Sequence, residues 1–188
     1  MIKNFSMDIG KGEKHLISGR SGSGKTSFLR LLLGFDPPDT GIIQINGLTF
    51  SKPDIKSIRN LIFYLSQDVD LPDETGISLI HRVLRLNRDT AMDMGQMDFF
   101  LSLLALTPGS LEKKVSVLSG GERQRLGLLL GFMLNRPIWL LDEPTSALDE
   151  PMKKSIARHI MGMNQTLVVV SHDPVWKNQT GIRTLNWN

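Results

Sequence analysis

The chain has 188 residues, 40% of them hydrophobic and 22% charged, with a formal net charge of +3. That balance suits one globular domain with at most a small lobe attached. Basic residues are scattered, doubling only at pairs such as Lys113-Lys114 and Lys153-Lys154, so no basic stripe marks a nucleic-acid face; the lack of cysteine excludes disulfides and thiolate metal sites and fits a reducing compartment. The opening stretch "MIKNFSMDIGKGEKH" lacks an apolar core segment, so no secretory signal is expected. The longest apolar run, "LGLLLGFML" (126–134), falls short of the roughly 20 residues that a bilayer span needs.

In chain order, "NFSMDI" (4–9) alternates as a half-buried strand does, which assigns Phe5 to the core. Three short apolar runs follow at intervals, "HLIS" (15–18), "IWLL" (138–141) and "TLVVVS" (166–171), each ending abruptly in polar residues. Runs of this kind suit strands buried on both faces of a parallel sheet. The first is followed by a helical pattern, "GKTSFLRLLLGF", which should stop near Gly34, ahead of Pro37-Pro38. "TGIIQINGLTF" (40–50) carries Asn46-Gly47 and predicts a hairpin that adds a small antiparallel element. From about Asp68 to Val117 the pattern is mostly helical, with no strand-like alternation, and is expected to be an inserted helical lobe. A further helix, "SGGERQRLGLLLGFMLNRP", should end by Pro137. Strand, helix, strand, helix is the order of an α/β domain.

The stretch Gly19-Arg20-Ser21-Gly22-Ser23-Gly24-Lys25-Thr26 fits the spacing G-x-x-x-x-G-K-[ST] at every position, between a predicted strand and a predicted helix. Glycines there let backbone N–H groups curl round phosphate oxygens, and the helix start adds its positive end. Lys25 would reach the β- and γ-phosphates, and the Thr26 hydroxyl would take a position on Mg²⁺. The plain alternative is a flexible serine-glycine turn. Gly19 to Thr26, with the adjoining Ser27, form the candidate nucleotide-binding set.

"IWLLDEP" puts Asp142 and Glu143 at the carboxyl end of a buried strand, the edge where ligands of open α/β sheets gather. Asp142 could hold Mg²⁺ through its water shell. Glu143 could orient or deprotonate an attacking water, a contribution of roughly 10²–10⁴ in rate. On its own, an Asp-Glu pair after an apolar run is equally a solvated helix start. In "VLSGGERQR" (117–125), Ser119-Gly120-Gly121-Glu122 reads as a capping box, leaving glycine amides at a helix N-terminus.

With these residues in hand, the chain resembles the ATP-binding subunits of ABC transporters over nearly its whole length. The motifs fall in that family's order: the glycine-rich loop, Gln67 in "YLSQD", the signature from Leu118 through Ser119, Gly120, Gly121 and Glu122 to Gln124, the Asp142-Glu143 pair, Asp149 in "SALD" (146–149) and His172 in "VVVSHD". The resemblance implies a P-loop NTPase with a mainly parallel sheet core, a small antiparallel element and an inserted helical subdomain. It makes residues 1–188 a single ABC ATPase domain, with a core lobe of 1–67 and 118–188 around a helical subdomain at about 68–117. It implies ATP and Mg²⁺ as ligands, Thr26, Gln67 and Asp142 near the metal, and Glu143, His172 and Gln67 as catalytic groups. Two chains, alike or nearly so, would pair head to tail through ATP, the signature of one meeting the γ-phosphate held by the other, with Asp149 bridging the two sites.

The same resemblance implies an integral membrane permease as a second partner, no nucleic acid, and a peripheral position on the cytoplasmic face of the membrane. Family members usually carry an aromatic residue well upstream of the loop, on which adenine stacks. Phe5 is the sole aromatic before Gly19 here, so weak adenine affinity and poor ATP-over-GTP discrimination are expected. The chain stops 16 residues after His172, so no C-terminal regulatory domain is expected, and the permease is expected to be another polypeptide. The segment "TPGSLEKKVSV" lacks the T-x-V-G-E-x-G pattern of fused exporters. The rival readings are a soluble ABC-type ATPase switch acting on nucleic acid or a protein complex, and an ATP binder without turnover, which an intact Glu143 disfavours.

Overall fold

Strand β1 (Lys14–Gly19) is buried along most of its length and has parallel neighbours on both sides. This is the arrangement that an uninterrupted apolar run requires. The computed structural model describes residues 5–51, 53–87 and 94–187. With β4 (Ile62–Leu65), β5 (Ile138–Asp142), β6 (Thr166–Val170) and β7 (Ile182–Trp187), β1 forms a five-stranded sheet of order β4-β5-β6-β1-β7. The β1–β6, β1–β7 and β5–β6 pairs are parallel. Strands β2 (Gln44–Ile45) and β3 (Leu48–Thr49) pair antiparallel through Ile45 and Leu48. Their turn residues Asn46 and Gly47 have φ of 52° and 77°, the two positive values that a tight hairpin of this kind demands.

The chain divides into two compact units. One comprises residues 1–64, 136–142 and 164–188; the other comprises 65–135 and 143–163. The second unit thus takes in more of the chain than the segment 68–117, of which residues 88–93 lie outside the described residues.

In the first unit, helix α1 (Lys25–Leu32) buries Phe28 and Leu29, and α2 (Ile55–Leu61) buries Ile58. They join Ile17, Leu33, Ile62, Leu140, Val168, Val170 and Trp187 in one core cluster. Burying side chains of this size stabilises by about 1.5–3 kcal/mol each. Residues 5–9 keep their alternation, with Met7 and Ile9 packed against the core cluster, but they form no strand. Alternating burial alone does not make a strand, because a strand also needs a backbone partner. Phe5 is 38% exposed, its ring set against Phe28 and Trp187 at 5.5 and 5.1 Å, so it lies at the margin of the core.

The second unit is helical. It holds α3 (Gly76–Leu86), α4 (Met97–Leu103), the short α5 (Pro108–Leu111), α6 (Gly120–Leu134) and α7 (Glu150–Gly162). Helix α6 is buried on nearly every side, as a helix apolar all round must be. It stops at Asn135 in the left-handed conformation, ahead of Pro137. Arg125 donates to the Leu104 and Ala105 carbonyls, tying α6 to the end of α4. A last short helix, α8 (Pro174–Lys177), belongs to the first unit. Among the described residues no helix is long and apolar enough to cross a membrane.

Candidate nucleotide site

The loop from β1 to α1 is built round a lysine. Lys25 Nζ donates to the Gly19 carbonyl at 2.9 Å and to the Arg20 carbonyl at 2.7 Å, which draws the loop into a ring about the ammonium group. Gly22 and Gly24 have φ of 75° and 94°, values that side-chain-bearing residues adopt only under strain. These two reversals let the loop close before α1 begins, with Gly24 as its N-cap and, among the described residues, no side-chain hydrogen bond capping the helix start. The Ser23 hydroxyl oxygen is buried and has no hydrogen-bond partner among the described residues. A buried hydroxyl normally finds a partner, so this one fits a loop that receives an anionic ligand. Arg20, Ser21, Gly22, Thr26 and Ser27 are exposed.

Thr26 lies in the first turn of α1, and its hydroxyl donates to Asp142 Oδ2 at 2.7 Å. Asp142 is 1% exposed at the carboxyl end of β5. The loop and the acidic strand end, separate in sequence, are therefore brought together within the first unit. Burial, and after it the Asp142 charge, push the Tyr64 phenol above its ordinary value, so that ring stays protonated. His172 is exposed just after β6 in the same unit.

The second unit carries the remaining candidates. Gln67 is exposed in the bend after β4, and Glu143 is buried at 7% exposure with φ of 46°, a left-handed backbone uncommon for a residue other than glycine. Such strain gathers at functional positions. The signature begins α6 with a complete capping box. The Ser119 hydroxyl oxygen accepts from the Glu122 amide, and Glu122 Oε2 accepts from the Ser119 amide at 2.8 Å. That amide first, then the Ser119 hydroxyl, hold the Glu122 carboxyl below the usual carboxylate range. Ser119 and Gly120 are exposed and Gly121 half-buried, whereas Leu118 is buried.

Gln124, grouped with the signature as a residue reaching toward a partner, is turned inward at 2% exposure. Its Nε2 donates to the Glu143 carbonyl at 2.9 Å, and its Oε1 accepts from the Ala147 amide at 3.1 Å. Within its own chain it holds the turn that carries Glu143. Asp149 is exposed and caps α7, its Oδ1 accepting from the Met152 amide at 2.9 Å.

One contact of the loop was not readable in the sequence: the Trp187 indole N–H donates to the Ser23 carbonyl at 2.9 Å, across 164 positions. No motif surrounds Trp187, and only the pairing of β7 with β1 brings it there.

Strand, glycine loop and helix around Lys25 define a P-loop NTPase fold. The family model described as ABC transporter matches residues 2–146, and the chain belongs to that family. Domains of this family bind and hydrolyse ATP. The chain is 36% identical over 183 residues to a probable ABC transporter ATP-binding/permease protein of Haemophilus influenzae, which covers 92% of this chain and 32% of that protein. It is 33% identical over 182 residues to an ATP-dependent lipid A-core flippase of Neisseria gonorrhoeae, covering 91% of this chain and 29% of the flippase. The chain thus spans about a third of the length of these curated relatives. Among solved structures it is similar to a dimeric post-hydrolysis state of an ATP-binding cassette bound to ADP and Pi, with a TM-score of 0.80 and 27% identity, covering 95% of this chain and 83% of that one.

Proposed function

We propose that this chain is the ATP-hydrolysing part of an ABC transporter, which closes on a second copy when ATP binds and reopens after hydrolysis. The observation that carries the reading is the loop closed round Lys25 with Thr26 bonded to Asp142. Lys25 and the loop amides would hold the β- and γ-phosphates. The Thr26 hydroxyl and Asp142, with Gln67, would hold Mg²⁺. The chemistry fits, since hydroxyl, carboxylate and amide oxygens are hard donors suited to that ion. When bound, Mg²⁺ supplies charge neutralisation on the β- and γ-phosphates.

Glu143 would take a proton from the water that attacks the γ-phosphorus as the bond to the β-phosphate oxygen breaks and ADP leaves. His172 would contact the γ-phosphate and keep that water aligned. Ser119, Gly120 and Gly121 would present the start of α6 to the γ-phosphate on the partner copy, an anion at a helix N-terminus. Asp149 would face the partner across the junction.

Transport through a membrane permease is part of the proposal. It is supported by the transporter and flippase named among the relatives and by the exposed Gln67 after β4. The site would work on the cytoplasmic side, where ATP is supplied.

The test is a nucleotide titration of the wild-type and Lys25→Ala chains. The wild type binds Mg-ATP with one site per chain, and the variant shows no saturable binding. Equal binding by both chains would refute the assignment of the loop. Membrane recruitment by a co-expressed permease separates transport from a soluble switch, for which ATPase activity stimulated by nucleic acid would speak.

A further inference from the structure

Trp187 touches the phosphate loop at two places. Its backbone pairs with Gly19 at the end of the β1–β7 ladder, which runs from Lys14 opposite Ile182 to Gly19 opposite Trp187. The approach is so close that a Cβ at Gly19 would run into the Trp187 carbonyl oxygen. The indole N–H then reaches forward to the Ser23 carbonyl at 2.9 Å. The ring is 8% exposed and wedged between Phe28 of α1, at 5.1 Å and 45°, and Phe5, at 5.1 Å and 58°. An indole packed on two sides has little freedom to swing away from its acceptor.

The consequence follows from peptide geometry. The Ser23–Gly24 peptide is planar and trans, so its N–H points opposite to its C=O. Holding the Ser23 carbonyl toward the indole aims the Gly24 amide away from Trp187, at the very turn where Gly24 takes a φ of 94°. Left unrestrained, a peptide flanked by glycine turns over at little cost. Binding an anion would then require that peptide to be ordered first, which lowers affinity.

We propose that Trp187 is a positioning residue of the nucleotide site: its indole N–H fixes the Ser23–Gly24 peptide so that the Gly24 amide is preset for a phosphate. The inference rests on the reading of this loop as the phosphate site.

The test is calorimetric titration of ADP into the wild-type and Trp187→Phe chains, together with steady-state Mg-ATP hydrolysis. The variant keeps an aromatic ring and loses the donor. Its Kd for ADP should rise about fivefold, the scale of one net hydrogen bond, with stoichiometry unchanged. The KM should rise in step while kcat stays within about twofold, because Trp187 touches no reacting atom. A purely packing role would lower the melting midpoint and leave Kd at the wild-type value, and that result would overturn the proposal. A wild type that binds no ADP would instead overturn the reading of the loop itself. A second measurement needs no stability in the variant. In the wild-type chain the Trp187 indole N–H resonance should move on ADP addition while those of Trp139 and Trp176 stay in place. An unmoved Trp187 resonance would likewise overturn the proposal.

Discussion

Thr26 and Asp142, 116 positions apart, share a 2.7 Å hydrogen bond that ties the first turn of α1 to the carboxyl end of β5. The hydroxyl donates and the carboxylate accepts, so the two groups stand together beside the phosphate loop. Asp142→Asn preserves shape, and its side-chain carbonyl still accepts from Thr26, but the charge is gone. The melting midpoint should stay close to the wild type, and ADP binding without metal should persist. Mg-ATP turnover should fall by about two orders of magnitude, the scale of losing one group that supports charge stabilisation at a transferring phosphoryl, here by holding the metal. Wild-type turnover in this variant would remove Asp142 from the site.

Gln124 gives a prediction about stability as well as rate. Removing a side chain that serves both the Glu143 carbonyl and the Ala147 amide from a buried place takes from the Ala147 amide its Gln124 acceptor and leaves the Glu143 carbonyl with the Ser146 amide alone of these two donors. Gln124→Ala should cost about 3 kcal/mol, a melting midpoint lower by roughly 6–12 °C for a chain of this length. Because the same bond holds the backbone of Glu143, turnover measured well below the midpoint should also drop. A variant as stable and active as the wild type would show that the inward-facing amide is dispensable.

His159 sits among Phe99, Phe100 and Phe132, with ring centres 5.3, 5.7 and 5.3 Å away. Burial lowers its pKa, so the folded chain favours the neutral ring. As pH falls through the unfolded value near 6.5, the unfolded chain takes up the proton more readily than the folded one, and stability declines. Melting midpoints at pH 7.5 and 5.5 should therefore differ more for the wild type than for His159→Phe, which cannot titrate there. Equal differences would show that His159 contributes nothing to the acid limb.

Much of the first unit was legible because its signals are local. The run "HLIS" marks β1, the glycine spacing marks the loop, and Asn46-Gly47 marks the hairpin turn. The stop of α1 just before Gly34, at φ of 63°, and the end of α6 before Pro137 follow from single residues. The order of the strands is not local. "IFYL" and "IRTLNW" become β4 and β7 only by pairing with distant segments, and the alternation at 5–9 misleads because it describes burial without a backbone partner. The inward turn of Gln124 and the reach of Trp187 to Ser23 were hidden for the same reason, since each depends on which surfaces meet after folding.

A site completed by two copies of the chain makes the dimer depend on bound nucleotide, and molar mass in solution by light scattering reads that dependence. Glu143→Gln keeps the shape of the side chain without its ionisable carboxyl, and should bind Mg-ATP without turning it over, so saturating nucleotide should hold it as a dimer of twice the mass of one chain. Adding Ser119→Arg, which crowds the exposed start of α6, should return the mass to that of one chain with nucleotide still bound. A Glu143→Gln chain that stays monomeric while saturated with Mg-ATP, alongside a wild type whose specific activity is constant on dilution, would contradict the account.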